Sequence, residues 1–259
     1  MSSKLSAYIG LAVVALICAC ALLAPLIAPY VPTRSSVDFL QGPSAAHWFG
    51  TDELGRDTLS RVIYGARTSL VVGAGAAIVS VLIGAPIGLA AGYMGGKVDA
   101  AAVPVIDLFI ALPGLVLALI ITVMVGPSLL NLVLVLGFVM WPAVARLVRG
   151  QTFAVREMAF IEAAVAAGGS SAWIIRRHVW PNIMRVVAAQ FSLTVSFAII
   201  TSASLSFLGL GIPPPTPDWG SMVRTGYDFI GLNPAMSFAP GAAIATTVLG
   251  FYLLGSAIK

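Results

Sequence analysis

The chain alternates long apolar runs with short polar connections, and this alternation limits its folds more than any single motif. Runs near 6–29, 69–92, 103–125, 129–148, 187–208 and 237–258 approach or exceed the roughly 20 apolar residues that a helix needs to cross a bilayer. In hydrocarbon every backbone N–H and C=O must be bonded within the protein, so these runs are helices and not open strands. The expected fold is an all-α integral membrane protein with six transmembrane helices. The charge content agrees, since 9% of the residues are charged against about 25% in an ordinary soluble domain. A soluble enzyme, a disordered chain and a coiled coil are excluded. The net charge of +4 is spread between the runs and marks no nucleic-acid surface.

Two readings compete for the first run. Lys4 and the apolar stretch reaching Ala19-Cys20-Ala21 are compatible with a signal peptide, or with a lipoprotein signal whose acceptor is Cys20. The run continues to about Ala28 before Pro29-Tyr30-Val31-Pro32, which is long enough for an uncleaved first span. The uncleaved span is the expectation. Cys18 and Cys20 both lie in it and support neither a disulfide framework nor a metal cluster. The third run is the weakest, with Pro104, Asp107 and Pro113, and only Gly126-Pro127-Ser128 separates it from the fourth. That tight turn makes the two an antiparallel pair.

Lys and Arg set the orientation. With the N-terminus inside, the inner segments hold Lys4, Lys97, Arg146, Arg149, Arg156, Arg176, Arg177, Arg185 and Lys259, and the outer ones Arg34, Arg56, Arg61, Arg67 and Arg224. The excess favours both ends in the cytoplasm. Segment 146–185 carries six of these arginines against Glu157 and Glu162, so it is the main cytoplasmic feature.

No catalytic residues, metal ligands or cofactor site are expected. His47 and His178 fall on opposite sides of the membrane, and neither HExxH nor GxSxG occurs. Tyr93-Met94-Gly95-Gly96-Lys97-Val98 is not a phosphate loop, because Ala91 stands where glycine is needed and Val98 where Ser or Thr would hold Mg²⁺. Any ATP hydrolysis belongs to another chain.

Residues 151–185 read as a first helix broken at Gly168-Gly169, a second capped by Ser170 or Ser171, and Pro181 in the first turn of the next span. The alanines at 163, 164, 166 and 167 offer a small-residue face for another surface, although an ordinary basic loop would have the same charge. Outside, Asp52, Glu53, Arg56, Asp57 and Arg61 nearly balance at spacings that suit helical ion pairs, each worth a few tenths of a kcal/mol. They read either as a self-neutralised cap or as a contact surface. Asp107 is a lone intramembrane carboxylate near the inner boundary, within reach of water or Lys97. In the fifth span Gln190, Thr194, Thr201 and Ser204 form one stripe and are the candidate translocation path, with Ser192, Ser196, Ser202 and Ser206 opposite. Helix packing competes with that role. The stiff stretch from Pro213 to Pro217 suits an ordered outer loop.

Glu162-Ala163-Ala164, three residues, Gly168, then His178-Val179-Trp180-Pro181 resembles the EAA signature of permease subunits of binding-protein-dependent ABC importers. His178 and Trp180 replace its isoleucine and leucine, and Arg177-His178-Val179 with Pro181-Asn182 is similar to the wording of the dipeptide and oligopeptide branch. Phe49-Gly50-Thr51-Asp52-Glu53-Leu54-Gly55-Arg56-Asp57-Thr58-Leu59-Ser60-Arg61 resembles a signature of the second permease in that branch. Phe207-Leu208-Gly209-Leu210-Gly211, Pro213-Pro214 and Trp219-Gly220 resemble its last outer loop. The ending Gly255-Ser256-Ala257-Ile258-Lys259 departs from the acidic, arginine-containing tail usual in relatives.

The resemblance implies a type I importer permease in the cytoplasmic membrane. Residues 1–68 would hold the first helix and external segment, and 69–259 the transmembrane domain with a coupling loop at 149–185. Glu162, Ala163, Ala164, Gly168, Arg177, His178 and Pro181 would dock on the ATPase, and Asp52, Arg56, Asp57 and Arg61 are candidates for external contact. The implied partners are a homologous second permease, ATPase subunits that use ATP and Mg²⁺, and an external substrate-binding protein. The implied cargo is di- or oligopeptide, with glutathione, nickel or haem as alternatives. A secondary transporter is the main rival; paired charges within spans and inverted repeats, its usual marks, are missing from the sequence.

Overall fold

The computed structural model describes residues 3–258, so Lys259 of the charge count lies outside the described residues. The chain forms α1 (Ser3–Ile27), α2 (Thr58–Met94), α3 (Gly96–Ala111), α4 (Gly114–Val125), α5 (Leu129–Arg156), α6 (Ala159–Ala166), α7 (Ser171–Ile174), a π-turn (Ile175–Val179), α8 (Trp180–Phe207), α9 (Trp219–Asp228) and α10 (Ala235–Ala257). Among the described residues five helices are long and apolar enough to cross a membrane: α1, α2, α5, the unbroken run Ser171–Phe207, and α10. The sixth span is a bent pair, α3 and α4 meeting at 87°. Proline explains the bend. Pro113 has no N–H, and the residue before a proline is driven out of the helical region; Leu112 accordingly has ψ 135°. Two ion pairs join α3 to the lower part of α5: Asp107 with Arg146 (rather than Lys97), and Asp99 with Arg149, whose second contact is 2.6 Å.

Helices α2 and α5 form the spine. Gly84, Gly88 and Gly92 recur every four residues on one stripe of α2, and the α5 backbone lies against them. A Cβ on Gly88 would sit 2.6 Å from the carbonyl oxygen of Ala145, and one on Gly92 2.5 Å from that of Arg149. Small residues let membrane helices come this close, so dispersion replaces the hydrophobic drive that lipid cannot supply. Val144 and Val148 are buried beside the seam.

The remaining helices lie around this spine and define two ends. Gly10 of α1 abuts Leu254 of α10, and Gly250 abuts Val13, so these helices are antiparallel and residues 3 and 258 share an end. The loop between α5 and α8 lies there as well, since Gly255 meets Ala189 and Leu193. At the opposite end Trp219 is buried on Gly65, and its indole N–H donates to the carbonyl of Val62 at 2.8 Å. Asn233, also buried, donates to the carbonyls of Gln41 and Phe49 at 3.1 and 3.2 Å and so ties α10 to the segment between α1 and α2.

Gly88→Ala is expected to destabilise the detergent-solubilised protein by about 1–3 kcal/mol through overpacking of the seam. Gly241→Ala, where a Cβ meets nothing within 4 Å, should be neutral or slightly stabilising. Thermal unfolding of the two variants side by side measures the difference.

Candidate functional site

The loop expected to couple is built from local chemistry. Helix α5 ends at Arg156, and Met158 turns extended before α6. Ile161 then sinks into a cluster with Val155, Ile174, Val179 and Ile183 and anchors the short helix on its inner side. Its outer side leaves Glu162, Ala163, Ala166 and Ala167 exposed, while Ala164 is half-buried. Gly168 has φ +81°, the left-handed conformation that glycine enters without steric cost. Its N–H donates to Val165 O at 2.9 Å and that of Gly169 to Ala164 O at 3.0 Å. These two bonds form the Schellman arrangement that ends helices. Ser170, not Ser171, caps the next helix by accepting from the N–H of Trp173.

That next helix differs from expectation. It does not stop before Pro181 but runs through α7 and the π-turn into α8, with Pro181 in the first turn of α8. Within the π-turn Arg176 and Arg177 are exposed, and His178 is half-buried between two aromatic rings. Its ring centroid lies 4.9 Å from Trp173 and 6.2 Å from Phe160, so it bridges α7 and α6. The loop residues expected together, Glu162 to Pro181, do share one end of the bundle.

The outer motif is also assembled, though not as a helix. Thr51 and Asp57 form an antiparallel bridge, and between them the chain turns tightly with Gly55 at φ +70°. Asp52 is its centre: Oδ1 accepts the N–H groups of Leu54 and Arg56, and Oδ2 accepts from Arg56 Nε at 2.7 Å and faces Arg61 Nε at 3.3 Å. Arg61 also donates to the carbonyl of Pro32 at 3.0 Å. Asp57 caps α2 by accepting from the N–H and hydroxyl of Ser60, and its other oxygen lies 2.8 Å from His47 Nδ1. Asp52, Arg56, Asp57 and Arg61 are each more than nine-tenths buried, so their side chains face one another and not an external partner. Leu54 and the edge of Glu53 are what the turn exposes.

The stripe on α8 divides. Thr194 is buried, its hydroxyl donating to Gln190 O at 2.8 Å, whereas Gln190, Thr201 and Ser204 stay partly exposed. Thr201 and Ser204 donate back to the carbonyls of Phe197 and Ile200, leaving oxygen lone pairs free on that face. Ser204 lines an open apolar groove with Leu115, Ile200, Phe207 and Ile244. On the opposite side Ser192 and Ser196 donate to Phe251 O and Val248 O, which is packing against α10.

Residues 84–259 match the family model of the binding-protein-dependent transport system inner membrane component, and residues 3–43 that of the N-terminal TM domain of oligopeptide transport permease C. The chain belongs to this inner-membrane-component family. The permease is 39% identical over 255 residues to the dipeptide transport system permease protein DppC of Alkalihalophilus pseudofirmus, covering 98% of this chain and 84% of that one. It is 39% identical over 219 residues to the glutathione transport system permease protein GsiD of Pectobacterium atrosepticum, covering 85% and 73%. A solved chain of the inward-facing MetNI methionine ABC transporter shares its fold, with TM-score 0.62 at 20% identity over 75% of this permease and 93% of that chain. The permease is thus a multi-pass protein of the cytoplasmic membrane.

Several of its structural residues carry no motif visible from spacing. His47 and Asn233 organise the outer segment through contacts separated widely in sequence. Helix α9 was hidden in a loop, although Asp218 before Trp219 is an N-cap residue type, and its side chain accepts the N–H of Ser221. Burial pushes the Asp218 carboxyl above the usual carboxylate range, opposed by the N–H of Ser221 that it accepts at 2.9 Å.

Proposed function

We propose that this permease carries short peptides across the cytoplasmic membrane as one of two homologous membrane subunits, driven by separate ATPase subunits that grip residues 157–181. The observation that carries this reading is the shape of α6. It is a short helix anchored by Ile161 and closed by Gly168, and it presents Glu162 and a face of alanines at the bundle end. Alanines allow the near approach of a partner surface, and Glu162 and Arg177 supply charge at its edge. ATP-bound and ATP-free partners must hold the loop differently, because a ligand shifts an equilibrium only by its differential affinity.

The cargo class follows from the relatives. Their names give dipeptide, di/tripeptide and glutathione as substrates, and all are short peptides. Gln190, Thr201 and Ser204 offer uncharged hydrogen-bonding groups that accept varied side chains, and we place the path along this face of α8, with Thr194 supporting Gln190 from behind. The outer turn serves an external binding protein through its exposed edge, held in shape by Asp52, Arg56, Asp57 and Arg61.

The orientation has both ends of the described chain inside. In a background with Cys18 and Cys20 replaced, Ser44→Cys should react with an impermeant thiol reagent from outside and Ser170→Cys only after the membrane is opened. The reverse pattern would invert the loop and refute the coupling role.

Gly168→Val forces a β-branched residue to φ +81°, a local strain of about 1–2 kcal/mol. We expect it, and to a lesser degree Glu162→Ala, to leave membrane insertion and protein level intact while substrate-stimulated ATP hydrolysis and uptake fall together. Reconstituted complexes measure both rates. Wild-type rates in Gly168→Val would show that this loop does not couple.

A further inference from the structure

The face of α8 that carries Gln190, Thr201 and Ser204 offers hydrogen-bonding groups but no charge, and a cation stands where that face meets α9. The groove that Ser204 lines is completed by Val223 of α9. The next residue, Arg224, lines a cavity of about 370 Å³ at the outer end of the bundle, together with Gly209, Pro214, Ser221 and Thr225. That volume falls within the roughly 300–1,000 Å³ of small-molecule pockets. Among the described residues that line the groove or the cavity, Arg224 is the one charged side chain.

Its position depends on a missing side chain. Gly209 has φ +88°, and a Cβ there would sit 2.3 Å from Arg224 Nη1, so the guanidinium lies against bare backbone. Arg224 is exposed and makes no ion pair among the described residues, not even with Asp228 one turn further along α9. Thr225, half-buried in the same cavity, adds a hydroxyl. An arginine stays charged at physiological pH, and its paired N–H groups match the geometry of a carboxylate. A cation with no counter-charge in its cavity favours an anion, and the cargo brings one. Every short peptide with a free C-terminus ends in a carboxylate. On a path of hydroxyls and amides that group would be stripped of water with no charged partner, which is costly.

We propose that Arg224 receives the C-terminal carboxylate of the incoming peptide at the outer mouth of the path, with the Thr225 hydroxyl as a second donor. This rests on the importer reading above and narrows it to peptides with a free C-terminus. A peptide held by that end at α9 has its remaining residues beside the Ser204 groove. Selection at this point is for the peptide's end and not for its side chains.

The test uses the full complex in liposomes with the substrate-binding protein that accompanies it, and follows uptake of one dipeptide as the free acid and as its C-terminal amide. The quantity read is the acid-to-amide uptake ratio, to which the binding protein contributes the same factor in every variant. Arg224→Gln should lower this ratio about tenfold, the effect of losing one charge-assisted pair. Arg224→Lys should lower it less, because the charge survives although the paired geometry does not. Thermal unfolding and docking of the unloaded binding protein should match wild type in both variants, since Arg224 holds no internal ion pair. A wild-type ratio in Arg224→Gln would overturn the proposal, whether uptake of both compounds is kept or lost equally. Weakened docking in Arg224→Gln would also overturn it, and would mean that Arg224 meets an acidic group of the binding protein. Failure of the wild-type complex to take up either compound would instead overturn the importer reading itself.

Discussion

The close contact of α2 with α5 is the constraint on which the other elements depend. Three glycines on one stripe bring the two backbones together, and each helix extends well past the seam. Helix α2 runs from the cap at Asp57 to Met94, and α5 from the cap at Ser128 to Arg156. This closely packed pair joins the outer turn to the start of the segment that follows α5. Lipid provides no hydrophobic force between helices, so the link rests on fit. A side chain on the stripe would push the two helices apart.

The two ends use different chemistry. The segment between α5 and α8 is held by the buried Ile161 and Ile174, a Schellman turn and an aromatic contact through His178, which leaves the outer face of α6 free of internal bonds. The outer turn is the reverse. Its charged groups are spent on one another inside a buried network around Asp52 and Asp57, where removing one partner strands another. The first arrangement leaves a surface for a partner to hold, and the second fixes a platform.

Much of this was legible in the sequence. Apolar runs of spanning length gave the membrane helices, because backbone hydrogen bonding in lipid leaves few alternatives. Gly168 was legible as a helix end because helical propensity precedes it and a capping serine follows. What escaped depends on long-range geometry. Pro113 marked a weak span, but the 87° bend needed the neighbouring α5 to show where each half packs. The outer acidic and basic residues have helical spacing yet lie in a bridged turn, since Gly50 and Gly55 take positive φ and prevent the helix from starting before Asp57. On α8 the polar stripe was real, but burial took Thr194 out of the exposed face. The seam glycines at 84, 88 and 92 were readable as a four-residue repeat and would have predicted the spine.

We propose that this chain translocates its cargo only as part of an ATP-driven assembly gripped at residues 157–181. Purifying it from its native membrane by a tag on this chain alone, then assaying what comes with it, tests that most directly. A homologous permease and ATPase subunits should copurify, and uptake in liposomes should require ATP. A solitary homodimer that transports without ATP would contradict it.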